Sequence, residues 1–445
     1  MSEPIISVSG LRGIIGDQFT PFVAVKYVSA FCSSLPSGPV VLARDGRATG
    51  MMLMDAVRAT LIGHGHQVLD AGVAATPTVG VLVRERHAVG GIQISASHNP
   101  PAYNGLKLFG SAGRVLPNND GVRVLQAYRQ GDAAWKTYDK LGDVQSLSDP
   151  HAEHERLVLS IVDVPKIRAK SFRVYLDSNH GAGSLLGRRV LEKLGCQAQI
   201  GGESPDGNFS HPPEPLAENL IDVSHAVAQT GCDVGFCQDP DADRLAVLDE
   251  LGKYIGEECT VALCLMQILS ERRGPIVTNC ATSCMNRILA EQAGVEFAHS
   301  KVGEANVVDL MLATNAIFGG EGNGGPIDPR VGLVRDSFVG MSLILALMSR
   351  TGKTISQLVS ELPKRSMIKS KMEMSSADLQ QRVDRLYQRL RANEVSHLDG
   401  LKLSWPDRWI LLRASNTEPI VRLIAEAPTD VEAASLIAVA KSAMA

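Results

Sequence analysis

Short apolar runs alternate with amphipathic segments of helix length along most of this 445-residue sequence. Several of the apolar runs end in a turn rich in Gly, Asp, Asn or Ser. Apolar strands that alternate with helices are typical of largely parallel sheets covered by helices. Polar residues that follow such strands gather at the carboxyl edge of the sheet, where open α/β proteins bind ligands. We therefore expect the functional residues in the loops that follow the strands.

The alternation divides into three successive blocks, and the length exceeds what one hydrophobic core usually serves. The predicted strands of these blocks include residues 39–43, 91–95, 172–176, 234–237 and 275–278. The C-terminal part differs, with a charged helix predicted over 376–392, strands at 401–405, 409–413 and 420–425, and a terminal helix. We predict three related α/β domains with mixed sheets, at 1–150, 151–255 and 256–365, and a C-terminal α+β domain at 366–445.

Composition excludes several classes of protein. The formal net charge is −4 and aromatic residues make up 4%, which disfavours binding to nucleic acid. The eight cysteines form no CxxC pair, so we predict buried free thiols and a reducing, cytoplasmic location. The longest apolar runs, at 261–266 and 343–348, are too short to span a membrane, and no signal peptide is recognisable.

The loop Ser95-Ala-Ser-His-Asn-Pro100 directly follows a predicted buried strand, and Asn104-Gly-Leu-Lys107 comes soon after it. Ser97 is a candidate nucleophile only if a base or another partner activates it. His98 and Lys107 are candidates for moving protons, because each can gain or lose one when its surroundings shift its pKa. Taken alone, a serine in such a segment usually belongs to a turn that has no chemistry, and only the other loops of this sequence favour a catalytic role.

A second loop places Asp239, Asp241 and Asp243 at alternate positions, followed by Arg244. Three carboxylates that converge from an extended loop can bind one hard cation, and they would repel one another without it. An EF-hand is excluded because its sixth position is Arg244 rather than glycine, and because the predicted strand 245–248 carries Glu250 away. A solvated acidic turn remains the alternative.

Two further loops have weaker signals. Gly319-Gly-Glu-Gly-Asn-Gly-Gly325 lacks the spacing of a dinucleotide loop, but Glu321 and Asn323 can accept hydrogen bonds from sugar hydroxyls. Arg413-Ala-Ser-Asn-Thr-Glu-Pro419, with Arg422 beyond it, offers guanidinium, hydroxyl, amide and backbone N–H groups to a phosphate. Arg12 and Lys301 also lie among loop-forming residues, where surface charges are common.

Taken together, these motifs resemble the α-D-phosphohexomutase family in the family's order along nearly the whole chain. The resemblance implies four domains around a central cleft, Mg²⁺, a phosphoserine and a hexose 1,6-bisphosphate intermediate. It implies interconversion of hexose 6-phosphate and hexose 1-phosphate, with glucosamine phosphate as the first substrate and mannose or glucose phosphate as the alternative. It further implies a small-molecule hexose phosphate partner and a monomer or homodimer.

Carried over to this sequence, the resemblance makes Ser97 the phosphoserine and, with Asp239, Asp241 and Asp243, a metal ligand. Lys107 would be the general acid/base, assisted by Arg12 and His98, and Arg244 would contact the transferring phosphoryl group. The remaining residues implied to bind substrate are Lys301, Glu321, Asn323, Arg413, Ser415, Asn416, Thr417 and Arg422.

The sequence departs from the family at two places, and two other functional classes stay open. Residues 7–10 lack the Thr-Asp that often precedes the glycine in this family, and Gly325 stands where many members have histidine. A metal-dependent sugar phosphatase could instead use Asp239 as its nucleophile. A sugar-phosphate-binding protein that has lost catalysis is the third possibility.

Overall fold

The fold was taken from a computed structural model, which describes residues 3–7, 10–131, 134–373, 386–387, 390–414 and 420–444. Within these residues the strands form four separate sheets, in chain order. The first three sheets are mixed and the fourth is antiparallel, in agreement with the predicted fold class.

The first sheet has the strand order β1-β2-β6-β5-β3-β4-β8, with β7 paired to β6. Its parallel centre is extended on one side by the antiparallel strands β6, β2 and β1. The elements of this part are β1 (Ile5–Ser7), β2 (Gly10–Ile14), α1 (Pro21–Cys32), β3 (Val40–Arg44), α2 (Gly50–Gly63), β4 (Val68–Val73), α3 (Thr76–Glu85), β5 (Gly90–Ile94), β6 (Tyr103–Gly110), β7 (Arg114–Val115), α4 (Asn118–Gln130) and β8 (Val144–Ser146).

The second and third sheets share one plan, in which three parallel strands are followed by an antiparallel edge strand. The second has the order β10-β9-β11-β12 and the third β14-β13-β15-β16. The second part comprises α5 (Ala152–Ser160), α6 (Val164–Arg168), β9 (Arg173–Asp177), α7 (Gly183–Lys193), β10 (Gln197–Gly201), α8 (Ile221–Thr230), β11 (Val234–Gln238) and β12 (Leu245–Leu248). The third comprises α9 (Glu257–Glu271), β13 (Ile276–Asn279), α10 (Met285–Gln292), β14 (Phe297–Ser300), α11 (Glu304–Thr314), β15 (Phe318–Glu321), β16 (Gly325–Ile327), α12 (Ser337–Thr351) and α13 (Ile355–Glu361).

The largest hydrophobic cluster joins the second and third sheets, and α12 lies inside it. Every residue of α12 from 337 to 349 is buried, and this helix packs against α9. The two apolar runs noted in the sequence, 261–266 and 343–348, are parts of α9 and α12. They are apolar because two domains bury them from both sides. Among the described residues, no helix combines the length and hydropathy that crossing a membrane requires.

The fourth sheet has the order β17-β21-β20-β19-β18 and packs against a C-terminal helix. Its elements are β17 (Ser366–Glu373), β18 (Glu394–Ser396), β19 (Leu401–Ser404), β20 (Trp409–Ala414), β21 (Ile420–Ala427) and α14 (Asp430–Met444). The helix predicted over 376–392 falls mostly on residues outside the described ranges.

Buried polar contacts fix the fourth sheet against the third. Glu426 is fully buried and accepts hydrogen bonds from the Ser283 hydroxyl, the Cys284 N–H at 2.9 Å and the Trp409 indole. Beside it, Lys402 Nζ lies 3.9 Å from the centre of the Trp409 ring and donates to the Cys280 carbonyl at 2.7 Å. The C-terminal sheet is therefore anchored to the loop that follows β13.

We expect Glu426→Gln to lower the free energy of unfolding by about 1.5–3 kcal/mol. The amide nitrogen of glutamine would face a hydrogen-bond donor, where the carboxylate now accepts charge-assisted hydrogen bonds. Urea unfolding followed by tryptophan fluorescence measures the effect, since Trp405 and Trp409 both lie in the fourth part of the chain. The matched control is Glu394→Gln on the exposed strand β18 of the same sheet. An unchanged midpoint for Glu426→Gln would show that the anchor is unimportant.

Candidate active site

The loops singled out in the first two domains follow β5 and β11 at the carboxyl ends of these strands. The structure brings them into direct contact. Ser97, which follows β5, donates a hydrogen bond from its Oγ to Asp239 Oδ2 at 2.7 Å, and Asp239 follows β11. The alternation of strands and helices thus places two distant polar loops at one point, as the sequence predicts.

Ser97 is almost completely buried and has a φ of +50°, which is uncommon for a residue other than glycine. Its N–H donates to Ser95 Oγ at 2.9 Å, and its Oγ lies 3.2 Å from His98 Nδ1. Positive φ at non-glycine residues clusters at functional sites, because the surrounding structure must maintain the strain. The strained turn directs the hydroxyl toward the acidic loop.

Arg47 maintains this turn. Its guanidinium donates to the Ser97 carbonyl at 2.6 Å and to the carbonyls of Asn99, Pro100 and Tyr103 at 2.6, 2.8 and 2.9 Å. The same side chain pairs with Asp45 at 3.1 Å, and both residues are buried. Arg47 is absent from the predicted site residues, although a charged pair that directly follows a predicted buried strand was a signal for it.

The three aspartates are buried, and ligand atoms from all three lie within 4.8 Å of one another. Their loop is a turn with Ala242 at a φ of 55°, closed by the bond from the Ala242 N–H to the Asp239 carbonyl at 2.9 Å. The expected extended loop is wrong in this respect, and the turn is what lets carboxylates two residues apart converge. Burial, together with Asp241 and Asp243, raises the pKa of Asp239.

Two oxygens of this cluster have no hydrogen-bond partner within the described part of the chain. They are Oδ1 of Asp241 and Oδ1 of Asp243, and both are buried. Buried carboxylate oxygens need a partner or a cation, and hard oxygen donors are what Mg²⁺ prefers. The residues therefore fit a divalent cation, with the unpartnered oxygens as its ligands.

Cationic side chains surround the cluster. Lys107 Nζ lies 3.2 Å from Asp241 Oδ2 and 2.8 Å from Asp243 Oδ2. Burial acts to lower the pKa of Lys107, but these aspartates and Glu304 outweigh it and raise that pKa above its ordinary value. The Arg244 backbone N–H donates to Asp239 Oδ1 at 3.1 Å. Lys107 is therefore protonated beside the acidic cluster.

His98 and Arg12 lie at the edge of the same site. Burial, with the nearby guanidinium groups of Arg244 and Arg12, lowers the pKa of His98, so its imidazole is neutral near pH 7. Arg12 donates to Asn99 Oδ1 at 3.3 Å. Glu214, to which the sequence analysis gave no role, lies 3.9 Å from His98 Nε2 and 3.7 Å from the Arg244 guanidinium.

The glycine-rich loop of the third domain joins the same region through Arg335. This buried arginine donates to Glu321 Oε2 at 2.9 Å and to Asp243 Oδ2 at 2.6 Å. Glu321 Oε1 also accepts from Asn279 and from the Gly303 N–H. Asn323 Oδ1 is buried without a hydrogen-bond partner in the described structure, whereas Lys301 is exposed.

The predicted phosphate cradle lies in the fourth sheet. Arg413 and Arg422 are direct cross-strand partners, and Lys371 pairs with Arg422 on the other side. Like charges opposite each other repel, so this row favours an anion. Asp399 Oδ2 lies 2.8 Å from Arg413 Nε and offsets part of the charge. Ser415, Asn416 and Thr417 lie outside the described residues.

Four sequence models of one family match this chain in order. They are described as the α/β/α domains I, II and III and the C-terminal domain of phosphoglucomutase/phosphomannomutase, and they match residues 5–134, 152–252, 257–366 and 367–440. The chain belongs to this family. The resemblance to phosphohexomutases noted in the sequence is thereby confirmed.

Individual relatives extend over almost the whole chain. A protein of Thermococcus kodakarensis named "Phosphoglucomutase/phosphomannomutase" is 35% identical, over 95% of this chain and 94% of its own length. One of Methanopyrus kandleri named "Probable phosphoglucosamine mutase" is 31% identical, over 96% and 95%. The crystal structure of a phosphoglucomutase/phosphomannomutase family protein from Burkholderia thailandensis superposes with a TM-score of 0.87 at 25% identity, covering 99% and 98% of the two chains.

We expect Arg47→Lys to lower kcat/KM for phosphohexomutase activity by about 100-fold. One ammonium group cannot bond to four carbonyls, so the serine loop would shift, and a displacement of about 1 Å can reduce the rate by that factor. The control is Arg58→Lys, which changes a partly exposed arginine paired with Asp55 and Asp70. Steady-state kinetics and circular dichroism are recorded for both variants. Normal activity of a folded Arg47→Lys protein would contradict the role given to Arg47.

Proposed function

We propose that this protein interconverts hexose 6-phosphate and hexose 1-phosphate through a phosphorylated Ser97 and a hexose 1,6-bisphosphate intermediate. The observation that supports this most directly is the hydrogen bond from Ser97 to Asp239 inside a buried carboxylate cluster. A serine in a simple turn would not need three buried carboxylates, four backbone bonds from Arg47 and a strained φ.

In the first half of the proposed reaction, an oxygen of the hexose phosphate attacks the phosphorus on Ser97. A sugar O–P bond forms and the Ser97 Oγ–P bond breaks, while the sugar hydroxyl loses its proton and Ser97 Oγ gains one. Lys107 is the proposed proton carrier, with Arg12 and His98 assisting. Lys107 already holds a proton, so it acts first as the acid toward the oxygen that leaves phosphorus. Once it has given up that proton, the neutral amine can take the proton of the attacking hydroxyl, and the roles are reversed in the opposite direction. Arg244 is proposed to contact the phosphoryl group in transit.

Mg²⁺ is the proposed cofactor. Asp239, Asp241, Asp243 and an oxygen of phosphorylated Ser97 would hold it, since these are hard donors and two carboxylate oxygens are unpartnered. When bound, it supplies positive charge next to the phosphoryl oxygens. The chain's own residues position the serine, the acid/base and the sugar around that charge.

The row of Lys371, Arg422 and Arg413 supports a second phosphate site. A hexose 1,6-bisphosphate has two chemically similar ends, so one end must be held while the other reacts. We propose that Arg413 and Arg422, with Ser415, Asn416 and Thr417, hold the unreacting phosphate. Lys301 is assigned to substrate binding on the resemblance alone.

Glucosamine phosphate is the proposed first substrate, and mannose or glucose phosphate is the second candidate. Of the two relatives named above, the one called a probable phosphoglucosamine mutase is 31% identical to this chain, and the one called phosphoglucomutase/phosphomannomutase is 35% identical. Asn323, with its unpartnered oxygen, is the proposed contact to the sugar hydroxyls, and Glu321 lies beside it. Both side chains accept hydrogen bonds, so they do not distinguish an amine from a hydroxyl at C2 of the sugar.

The rival phosphatase chemistry is disfavoured by the contacts of Asp239. One of its carboxylate oxygens accepts from Ser97 and the other from the Arg244 N–H. Hydrogen bonds to both oxygens withdraw electron density from the carboxylate and make it a weaker nucleophile. A phosphatase would also leave the cross-strand arginines of the fourth sheet without a role. A non-catalytic binding protein would not need Lys107 next to the cluster.

We expect Ser97→Ala to abolish mutase activity while the protein stays folded, because the phosphoryl carrier is removed. The control is Ser111→Ala, which changes an exposed serine in the turn between β6 and β7. The assay couples formation of hexose 6-phosphate from hexose 1-phosphate, with the bisphosphate present, to a dehydrogenase. Near-normal turnover by Ser97→Ala would rule out the proposed mechanism.

The sugar assignment is tested by competing glucosamine, mannose and glucose phosphates in one coupled assay. We expect the highest kcat/KM for glucosamine phosphate. If a polar group of the site hydrogen-bonds to the C2 amine, this kcat/KM should exceed the values for mannose and glucose phosphates by at least about 10-fold. A higher value for mannose or glucose phosphate would assign the second candidate. Comparable values for all three would exclude discrimination at C2.

A further inference from the structure

Arg335 is a buried arginine that connects two loops of the site, and the sequence analysis did not single it out. It lies just before α12, in the third domain. One arm of its guanidinium, Nη2, donates to Asp243 Oδ2 at 2.6 Å, and the other, Nη1, donates to Glu321 Oε2 at 2.9 Å. One rigid side chain therefore bonds to the acidic loop of the second domain and to the glycine-rich loop of the third.

A third carboxylate holds the arginine itself in place. Glu304, at the start of α11, accepts the Arg335 backbone N–H at 2.8 Å, and its other oxygen lies 3.7 Å from Arg335 Nε. A buried arginine with carboxylates on three sides loses little rotational freedom, and its fork geometry is fixed. Burial acts to lower the pKa of Arg335, but Asp243, Glu304 and Glu321 outweigh it, so the group stays charged.

Gly325 provides the space that Arg335 occupies. A Cβ atom at position 325 would lie 2.4 Å from Arg335 Cδ and 2.9 Å from Cγ. Gly325 does not have the positive φ that would require glycine for its backbone, and it pairs with Glu321 across β15 and β16. The absence of a side chain at 325 therefore has a steric reason: it admits the arginine.

The contacts at Asp243 show what the arginine does for the cluster. Asp243 Oδ2 accepts from both Arg335 and Lys107, while Oδ1 accepts no hydrogen bond from the described residues and lies 4.0 Å from Arg244 Nε. Two cations on one oxygen fix the carboxylate plane and leave the other oxygen for a cation. The same guanidinium also donates to one carboxylate oxygen of Glu321, in the glycine-rich loop.

We propose that Arg335 is a positioning residue that fixes Asp243 for metal binding and Glu321 for sugar binding together, in the space left by Gly325. This proposal rests on the proposed function for the sugar, but not for the metal. It makes Gly325 and Arg335 one unit, in which either substitution breaks the same pair of contacts.

The first test uses Arg335→Lys, which keeps the positive charge and loses the two-armed contact. Mutating a residue that hydrogen-bonds to a metal ligand typically lowers the metal affinity or the activity by about 10–100-fold. We expect Mg²⁺ affinity, measured by calorimetry with Mg²⁺ alone, to fall within that range, and kcat and KM for hexose phosphate to worsen together. A merely structural arginine would change the melting temperature and leave the Mg²⁺ affinity unaltered.

The matched control is Arg330→Lys. Arg330 forms a two-armed pair with buried Asp328 only five residues away, outside the contacts described for the site. We expect this variant to keep wild-type Mg²⁺ affinity and kinetics.

The second test displaces the arginine without changing it. Gly325→Ala places a methyl group against the Arg335 side chain, so we expect the same loss of Mg²⁺ affinity. The double variant Gly325→Ala with Arg335→Lys is expected to lose less than the two single effects combined, because both remove one set of contacts.

Wild-type Mg²⁺ affinity in folded Arg335→Lys would overturn the proposal, as would fully additive effects in the double variant. If the wild-type protein binds Mg²⁺ but converts no hexose phosphate, the proposed function fails while the role of Arg335 at Asp243 is still measured. The two failures are therefore distinguishable.

Discussion

Three carboxylates are buried together in the turn that follows β11, and side chains from two other domains compensate their charge. Folding buries all three side chains, those of Asp239, Asp241 and Asp243, at one place. Burying like charges is unfavourable unless cations and hydrogen-bond donors surround them. The compensating groups come from elsewhere in the chain: Lys107 from the first domain and Arg335 from the third. The carboxylates therefore gain their cationic partners only when three domains assemble. Two carboxylate oxygens have no hydrogen-bond partner even then among the described residues, and they are available to a metal cation.

The same constraint explains why the site is built from loops at the carboxyl ends of strands. Ser97 reaches the cluster because β5 ends beside β3, whose following turn supplies Asp45 and Arg47. Arg47 then shapes the serine loop by donating to four backbone carbonyls, which holds the turn that presents the Ser97 hydroxyl. The C-terminal sheet contributes a separate basic row and is fixed to the third domain through Glu426 and Lys402.

Much of the fold was predictable, because strand and helix patterns are local. The predicted strands at 39–43, 91–95 and 234–237 agree within one residue at each end with Val40–Arg44, Gly90–Ile94 and Val234–Gln238. The free-thiol prediction also agrees, with six cysteines buried and Cys196 and Cys259 partly so. The domain boundaries, the individual roles of the site residues, the oligomeric state and the location in the cell stay predictions.

What the sequence did not reveal depends on tertiary contacts. Arg335 stands in Val334-Arg335-Asp336, where nothing local marks it, and only the folded chain places it between two loops. Glu321 was expected to bind a sugar, and the structure adds that its carboxylate is held in place by Arg335, Asn279 and the Gly303 N–H, which no local pattern indicates. Gly325 drew attention as a departure from the family, and the structure gives its reason as the space for Arg335.

If the buried cluster serves phosphoryl transfer, Ser97 must carry the phosphoryl group during turnover. Incubation with Mg²⁺ and hexose 1,6-bisphosphate labelled in its phosphates, followed by peptide mapping, tests it most directly. We expect an acid-stable label on the peptide that contains Ser97, which disappears when unlabelled hexose phosphate is added and reappears in the sugar. An acid-labile label on the peptide that contains Asp239, or no label on the protein, would contradict it.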